Sequence, residues 1–226
     1  MKDLIIERRT LVEPVEFRSE GTTLVASGVA IRYGAVSKDL GGFKERIMPG
    51  AATKTLKERD VTMLHEHERR MLLGRSSAGT LRITNNRDEM AYEVDLPDTS
   101  YGRDLAVSLE RRDVTGSSFG FLAIGADTKW SVDEDGAALR SVGALMLDHL
   151  STTCAPAYDE NTAELAMRSL AASSGQEFRT LLEAAARGEL PELIAPPESG
   201  DDEPEAEDEE PAGEPPVHRR PAEWFV

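Results

Sequence analysis

Residues 22–153 consist largely of short segments that are rich in β-branched and aliphatic residues and are separated by Gly, Asn, Asp or Pro. Six such segments are TTLVASGVAIRY, VTMLHEH, GTLRIT, MAYEVDLP, GSSFGFLAIG and SVGALMLDHLSTT. Segments of this length between turn-forming residues are typical of β-strands. The sequence therefore predicts a mainly β domain, and this constrains the fold more than any other feature.

Three stretches have a helical pattern instead. Residues 50–60 and 99–113 interrupt the strand-like segments, and Asp98 or Thr99 is suited to cap the second of these helices. Residues 177–190 form a third, short amphipathic helix that is expected to end near Gly188. We predict an α+β fold in which helices are attached to a β-barrel or a β-sandwich.

The acidity of the chain is concentrated near its C-terminus. Residues 198–216 contain ten Asp or Glu residues and four Pro, but no Lys, Arg or large apolar residue, so this run cannot build a core. Subtracting these ten charges from the net charge of −16 leaves −6 for the rest. We expect one globular domain in residues 1–170, and a short helix with a disordered acidic tail in residues 171–226.

Composition also excludes several classes of protein. A net charge of −16 opposes binding to nucleic acid, and a single cysteine, Cys154, cannot form an internal disulfide. No apolar run approaches the roughly 20 residues that span a bilayer, and the first residues lack the apolar centre of a signal peptide. We expect an intracellular protein that binds neither nucleic acid nor membrane.

The segment GSSFGF places two serines next to each other in a predicted strand. Alternation along a strand puts Ser117 on the same face as Phe119 and Phe121, which is the core face. Ser118 then lies on an open face between two glycines, which would let a substrate backbone approach. Ser118 is the better candidate for a nucleophile, although a small residue packed in a strand is the commoner explanation of such a serine.

A serine nucleophile needs a base, and histidine is the usual one because its pKa is near neutrality. The domain offers His65 and His67, which are two apart and would share one face of a strand, and His149. These histidines with Asp148 also allow a zinc site, but no second ligand pair accompanies them. Cys154 is an alternative nucleophile, although a lone cysteine in a strand is usually a small buried hydrophobic residue.

Five motifs occur in a fixed order between Leu24 and Arg168. They are GGFKERIMPGA, His67 followed by LLGR, GTLRI, SFGF, and the pattern L-x-x-x-S-x-x-x-x-PAY at Leu147 to Tyr158. In this order and spacing the chain resembles the prohead maturation proteases of tailed bacteriophages, which share a fold with the herpesvirus assembly proteases. The resemblance implies a herpesvirus-protease-like β-barrel.

The resemblance also implies a serine endopeptidase with an unusual triad and no cofactor or metal. Its base corresponds to His67, its nucleophile to Ser118, and its third member to His149, where many phage relatives carry a carboxylate. Asp148 is the alternative third member if a bulge turns its side chain. Because a neutral histidine stabilises an imidazolium less than a carboxylate does, we expect slow turnover.

The implied substrates are the scaffold segment of the major capsid protein, or a separate scaffold protein, and the protease itself. The implied location is the interior of the immature procapsid in the host cytoplasm, and a homodimer is conceivable because herpesvirus relatives act as dimers. Two other functions are open: a catalytically silent capsid assembly factor, and a general serine esterase. The esterase is the weaker of the two because no alternating pattern of parallel strands and helices surrounds Ser118.

Overall fold

The computed structural model describes residues 6–11, 13–21, 23–154 and 162–194. These residues belong to one compact unit that ends at Ala195. The strands are β1 (Glu7–Leu11), β2 (Glu16–Glu20), β3 (Thr23–Arg32), β4 (Lys44–Ile47), β5 (Thr62–His65), β6 (Glu68–Arg75), β7 (Leu81–Asn85), β8 (Glu89–Asp95), β9 (Gly116–Ala123), β10 (Thr128–Val132), β11 (Ala138–Val142) and β12 (Leu145–Thr153). The helices are α1 (Thr53–Glu58), α2 (Ser100–Glu110), α3 (Thr162–Ser174), α4 (Phe178–Arg187) and α5 (Leu190–Ile194).

The predicted α+β class is confirmed, but the strands do not close into a barrel. Within the described residues they form a five-stranded sheet in the order β1-β9-β12-β5-β6, a four-stranded sheet β2-β3-β8-β7 and a three-stranded sheet β10-β11-β4. The five-stranded sheet is mixed, because β12 runs parallel to β5 and antiparallel to β9. Ser118 and His149 lie in this sheet, and His67 lies between its strands β5 and β6.

Two apolar clusters hold these layers together. The larger one contains inward-facing residues of the five- and four-stranded sheets, such as Phe121, Leu147 and Met90, with Leu105 and Leu109 of α2. Burying a large apolar side chain contributes about 1.5–3 kcal/mol each, so this cluster is the main source of stability. Its members from β9 and β12 pack beneath the candidate site.

The smaller cluster joins α3, α4 and α5 to the three-stranded sheet. Met167, Leu181 and Leu190 are fully buried there or nearly so, around Phe43. The expected boundary between residues 170 and 171 falls inside α3, and that division into domains stays a prediction. The expected acidic tail lies outside the described residues.

The three predicted helices are confirmed. Residues 53–58 and 100–110 are helical, and the Thr99 side chain caps the second helix by accepting a hydrogen bond from the Gly102 amide. The third helix, α4, ends at Gly188, whose φ of 72° is the left-handed conformation that glycine adopts without strain. In the described part of the chain, no helix is long and apolar enough to cross a membrane.

Candidate active site

The two serines of β9 lie on opposite faces, as alternation predicts. The Ser117 hydroxyl is 2.9 Å from the Tyr92 hydroxyl in the core, and Phe119 and Phe121 on the same face are buried. Ser118 points to the other face of the sheet. That face was expected to be open, and this is wrong, because Ser118 has 0% of its surface exposed.

His67 does not lie on a strand, contrary to the expectation that it shares a strand face with His65. Strand β5 ends at His65, and β6 begins at Glu68, so Glu66 and His67 form a two-residue hairpin turn. Both have positive φ, 51° and 59°, as a type I′ turn requires. Because neither residue is glycine, the turn holds His67 in a strained conformation of the kind often found at functional sites.

Hydrogen bonds to β12 fasten this strained turn. The His67 amide donates to Ser151 Oγ at 2.9 Å, and the Glu66 amide donates to the Thr152 carbonyl at 2.9 Å. The Glu66 carboxylate accepts from the Thr153 hydroxyl at 3.0 Å and from the Cys154 amide at 2.6 Å. The backbone of His67 is therefore positioned by the strand that carries His149.

His149 lies above β9 because Gly120 leaves room for it. A Cβ atom on Gly120 would be 2.4 Å from Cε1 of His149, so no other residue fits without moving the ring. This glycine was expected to make room for a substrate backbone, whereas it makes room for the imidazole. The imidazole is almost fully buried, with 4% of the residue exposed.

Asp148, His149 and His67 form a continuous chain of hydrogen bonds. Nδ1 of His149 is 2.8 Å from Oδ2 of Asp148, and Nε2 of His149 is 2.6 Å from Nδ1 of His67. The pairing of β12 with β9 shifts between Leu147 and His149, and this bulge turns Asp148 toward its neighbour. Asp148 therefore contacts His149, while His149 contacts His67.

This chain determines the tautomers of both rings. A carboxylate only accepts, so Nδ1 of His149 carries its proton and Nε2 of His149 accepts from Nδ1–H of His67. Nε2 of His67 is then left with a free lone pair, which is the form that a general base requires. Arg69 binds the same carboxylate oxygen of Asp148 at 2.9 Å.

Both imidazoles are kept neutral. Burial lowers the pKa of His67 to about 3, with further lowering by the nearby His149 and the Arg8 guanidinium. Burial also lowers the pKa of His149, although Asp148 opposes this shift. A base with so low a pKa accepts a proton reluctantly, and the slow turnover expected from the sequence stays a prediction.

Ser118 is close to β1 rather than hydrogen-bonded to His67. Its hydroxyl donates to the carbonyl oxygen of Arg9 at 2.9 Å, and the Thr10 hydroxyl donates to Ser118 Oγ at 3.3 Å. Among the described residues, Ser118 and His67 share no hydrogen bond. Strand β1 was not recognised in the sequence, because the letters ERRTL carry no apolar alternation.

The other candidates lie apart from this chain. His65 contacts the Thr152 hydroxyl through Nδ1 at 3.0 Å, and the described part of the chain has no group of three or more His, Cys, Asp or Glu arranged for a metal ion. Cys154 is exposed rather than buried, and a hydrogen bond with Glu66 raises the pKa of its thiol. A raised thiol pKa disfavours a thiolate nucleophile.

The sequence of residues 12–175 matches the model of the caudovirus prohead serine protease family. The chain belongs to this family. It is thus a serine protease of the bacteriophage prohead, and the resemblance inferred from the five motifs is confirmed. Its PAY motif, residues 156–158, lies outside the described residues.

The protease was also compared with curated proteins and with solved structures. No curated protein matches it. One solved structure that is similar is the capsid assembly protease of bacteriophage T4, with 10% identity and a TM-score of 0.45. The match covers 66% of the present chain and 96% of the T4 chain.

Proposed function

We propose that this protease cleaves scaffold or capsid-protein segments, and its own chain, during maturation of the procapsid, with Ser118 as nucleophile and His67 as general base. The observation that carries the proposal is the Asp148–His149–His67 chain of hydrogen bonds at 2.8 and 2.6 Å, which leaves Nε2 of His67 free. Membership in the prohead protease family supports the class of substrate.

The mechanism is acyl transfer through a covalent intermediate. Nε2 of His67 takes the Ser118 proton while Oγ attacks the scissile carbonyl carbon, and His67 then gives that proton to the departing amine. Water, deprotonated by His67, attacks the acyl-enzyme, and the proton returns to Ser118. His149 orients His67 and shares the positive charge that develops, while Asp148 orients His149.

The expected setting follows from the family. A prohead protease acts inside the immature procapsid in the infected cell, so the partners of this chain are the major capsid protein or its scaffold segment and further copies of itself. Association into a homodimer stays a prediction. No cofactor takes part in the proposed mechanism.

The test is co-expression with the capsid or scaffold protein, followed by intact mass measurement of every product. We expect cleavage by the native chain and by Ser117→Ala, and none by Ser118→Ala. Ser117→Ala is the matched control, because Ser117 is the adjacent serine but contacts Tyr92 in the core. Cleavage that persists in Ser118→Ala refutes the assignment of the nucleophile.

A catalytically silent assembly factor is the second candidate. The observation in its favour is that Ser118 is buried and donates to the Arg9 carbonyl instead of to His67. A silent factor would leave all chains whole in the native co-expression while capsids still assemble. Cleavage of any partner by the native chain excludes it.

A further inference from the structure

Strand β1 covers the nucleophile. It pairs antiparallel with β9 at the outer edge of the five-stranded sheet, with Thr10 opposite Ser118 and Arg8 opposite Gly120. Its Arg9 carbonyl accepts the hydrogen bond of the Ser118 hydroxyl at 2.9 Å. The proton that His67 should receive is therefore directed to β1, and no second backbone can lie along the same edge.

We propose that the edge of β9 beside Ser118 is the binding site for an extended peptide substrate, and that β1 of the same chain occupies this site. An extended peptide adds to an exposed sheet edge through main-chain hydrogen bonds, and β9 would expose that edge if β1 were displaced. This proposal rests on the function proposed above, because it concerns access to the same serine.

The hydrogen bond between Ser118 and β1 does not have the geometry of a nucleophile attacking its substrate. The hydroxyl donates its proton to the oxygen of the Arg9 carbonyl. Attack instead requires a lone pair of Oγ to face the carbonyl carbon, with the proton transferred to His67. In this geometry β1 blocks the serine without being cleaved.

A group of four charges, three of them buried and the fourth, Arg9, partly exposed, holds β1 in place. We call it the β1 cluster: Glu7 and Arg9 of β1, Glu45 of β4 and Arg140 of β11. Arg140 is fully buried and donates to the two oxygens of Glu7 at 2.6 and 2.8 Å. Arg9 donates to the two oxygens of Glu45 at 2.8 and 3.1 Å. Two positive and two negative charges balance, which permits their burial.

The β1 cluster also predicts which peptides can replace β1. Side chains alternate along a strand, so a peptide in the same register places one residue opposite Phe121, near Arg140, and the second residue after it opposite Phe119, near Glu45. A carboxylate at the first position and a cation at the second would restore the ion pairs. The expected substrate class is an extended segment with an acidic residue two positions before a basic residue.

The test is the rate at which a fluorophosphonate labels Ser118 in the full chain. Glu7→Gln removes one carboxylate of the β1 cluster. Removing one partner of a buried ion pair strongly destabilises the contact that it made, so β1 is held less firmly. We therefore expect Ser118 to be labelled about tenfold faster or more. The matched control is Glu13→Gln, because Glu13 forms a partly exposed ion pair with Arg32 outside the site. We expect its labelling rate to equal that of the native chain.

The outcomes separate the two proposals. Equal labelling of Ser118 in the native chain and in Glu7→Gln refutes the occupation of the site by β1 and leaves the proposed nucleophile intact. Absence of label on Ser118 in every folded variant refutes the proposed function itself. A peptide with the sequence of residues 6–11, IERRTL, should slow the labelling of Glu7→Gln, and the same peptide with Gln in place of its Glu should slow it less.

A second measurement needs no activity and covers the case in which Glu7→Gln does not fold. Hydrogen exchange is recorded on the full-length Ser118→Ala chain, which cannot cleave itself through this serine. If β1 can detach from β9, its amides exchange at least about tenfold faster than those of the β9–β12 pairing. The reason is that detaching one strand requires less free energy than unfolding the whole domain. Exchange of β1 at the same rate as β12 refutes the proposal.

Discussion

At the scale of single residues, the hydrogen bond from His149 to Asp148 determines which nitrogen of each imidazole carries a proton. The sequence left open whether Asp148 or His149 is the third member of the triad. In the structure His149 contacts His67 and Asp148 contacts His149, because the bulge at Asp148 turns its carboxylate to Nδ1 of His149. The site therefore resembles a triad with a carboxylate one step further away from the base.

We predict that Asp148→Asn lowers kcat by about tenfold to a hundredfold. Losses of this size are found when a metal-binding histidine loses the hydrogen-bond partner that orients its ring, and Asp148 orients His149 in the same way. The asparagine amide can donate to Nδ1 of His149 and so allow the wrong tautomer. Activity of the variant is measured together with imidazole ¹⁵N chemical shifts, which report the tautomer. Asp135→Asn, at an exposed carboxylate, is the control, and unchanged shifts in Asp148→Asn contradict the prediction.

The neutral state of His67 predicts a dependence of stability on pH. The pKa of His67 is about 3 in the folded chain and 6.5 in the unfolded chain, so the unfolded state binds more protons between these values. The free energy of unfolding therefore decreases as the pH falls from 6.5 toward 3. The charged or titratable groups near His67 are His149 and Arg8.

This dependence is measured by denaturant unfolding of Ser118→Ala at several pH values, with and without His67→Gln. The second substitution removes the titrating group, so we expect a smaller loss of stability on acidification. Carboxylates elsewhere titrate in both chains and cancel in the comparison. An identical pH dependence in the two chains contradicts the lowered pKa.

At the scale of elements, Gly120 in β9 determines where the ring of His149 can lie. We predict that Gly120→Ala lowers kcat by about a hundredfold, because displacing a catalytic group by about 1 Å has an effect of this size. The added Cβ would lie 2.4 Å from the His149 ring. Gly116→Ala in the same strand is the control, since its nearest contact is 3.1 Å, to a Thr153 methyl group. Equal activity of both variants contradicts the prediction.

The turn between β5 and β6 predicts a role for Ser151. Its hydroxyl accepts the His67 amide at 2.9 Å and donates to the Thr152 carbonyl at 3.0 Å. Ser151→Ala leaves the His67 amide unpaired, whereas the Thr152 carbonyl keeps its hydrogen bond from the Glu66 amide. We therefore expect a loss of about 1–3 kcal/mol in stability and a lower kcat. Thermal unfolding and peptide cleavage are compared with Ser108→Ala on α2. A variant with native stability and native kcat shows that the turn does not need this contact.

Alternation along a strand was sufficient to assign Ser117 to the core and Ser118 to the opposite face. It failed for His67, because a type I′ turn is normally signalled by Asn-Gly or Gly-Gly, whereas here it consists of Glu66 and His67. It also failed for β1, where the buried Glu7 carboxylate is paired with Arg140 from a strand far along the chain and with Arg9. Such long-range charge pairs leave no local pattern.

At the scale of the whole molecule, the β-barrel implied by the family resemblance is not confirmed, because the described strands form three sheets. The short apolar segments correctly predict a mainly β chain, but the number of sheets depends on which strands pair. In this fold β12 pairs with β5 and β9, and β11 pairs with β4, across long separations in sequence. Local composition cannot encode these pairings, so three open sheets could not be distinguished from one barrel.

The acidic run at residues 198–216 is expected to keep the protease soluble or to contact basic scaffold surfaces. Deleting this run removes ten negative charges, and we predict weaker incorporation of the protease into procapsids. Incorporation is measured as the amount of protease in purified procapsids, with the Ser118→Ala substitution to prevent cleavage. Equal incorporation of the deleted and full-length chains refutes this role.

The most direct test of the account is the position of the covalent adduct after the protease reacts with a fluorophosphonate. The account predicts a single adduct on Ser118 that is absent from His67→Gln, located by mass spectrometry of peptides from a digest. An adduct on Ser117 instead, or a native chain that cleaves its partner without any reactive Ser118, would contradict it.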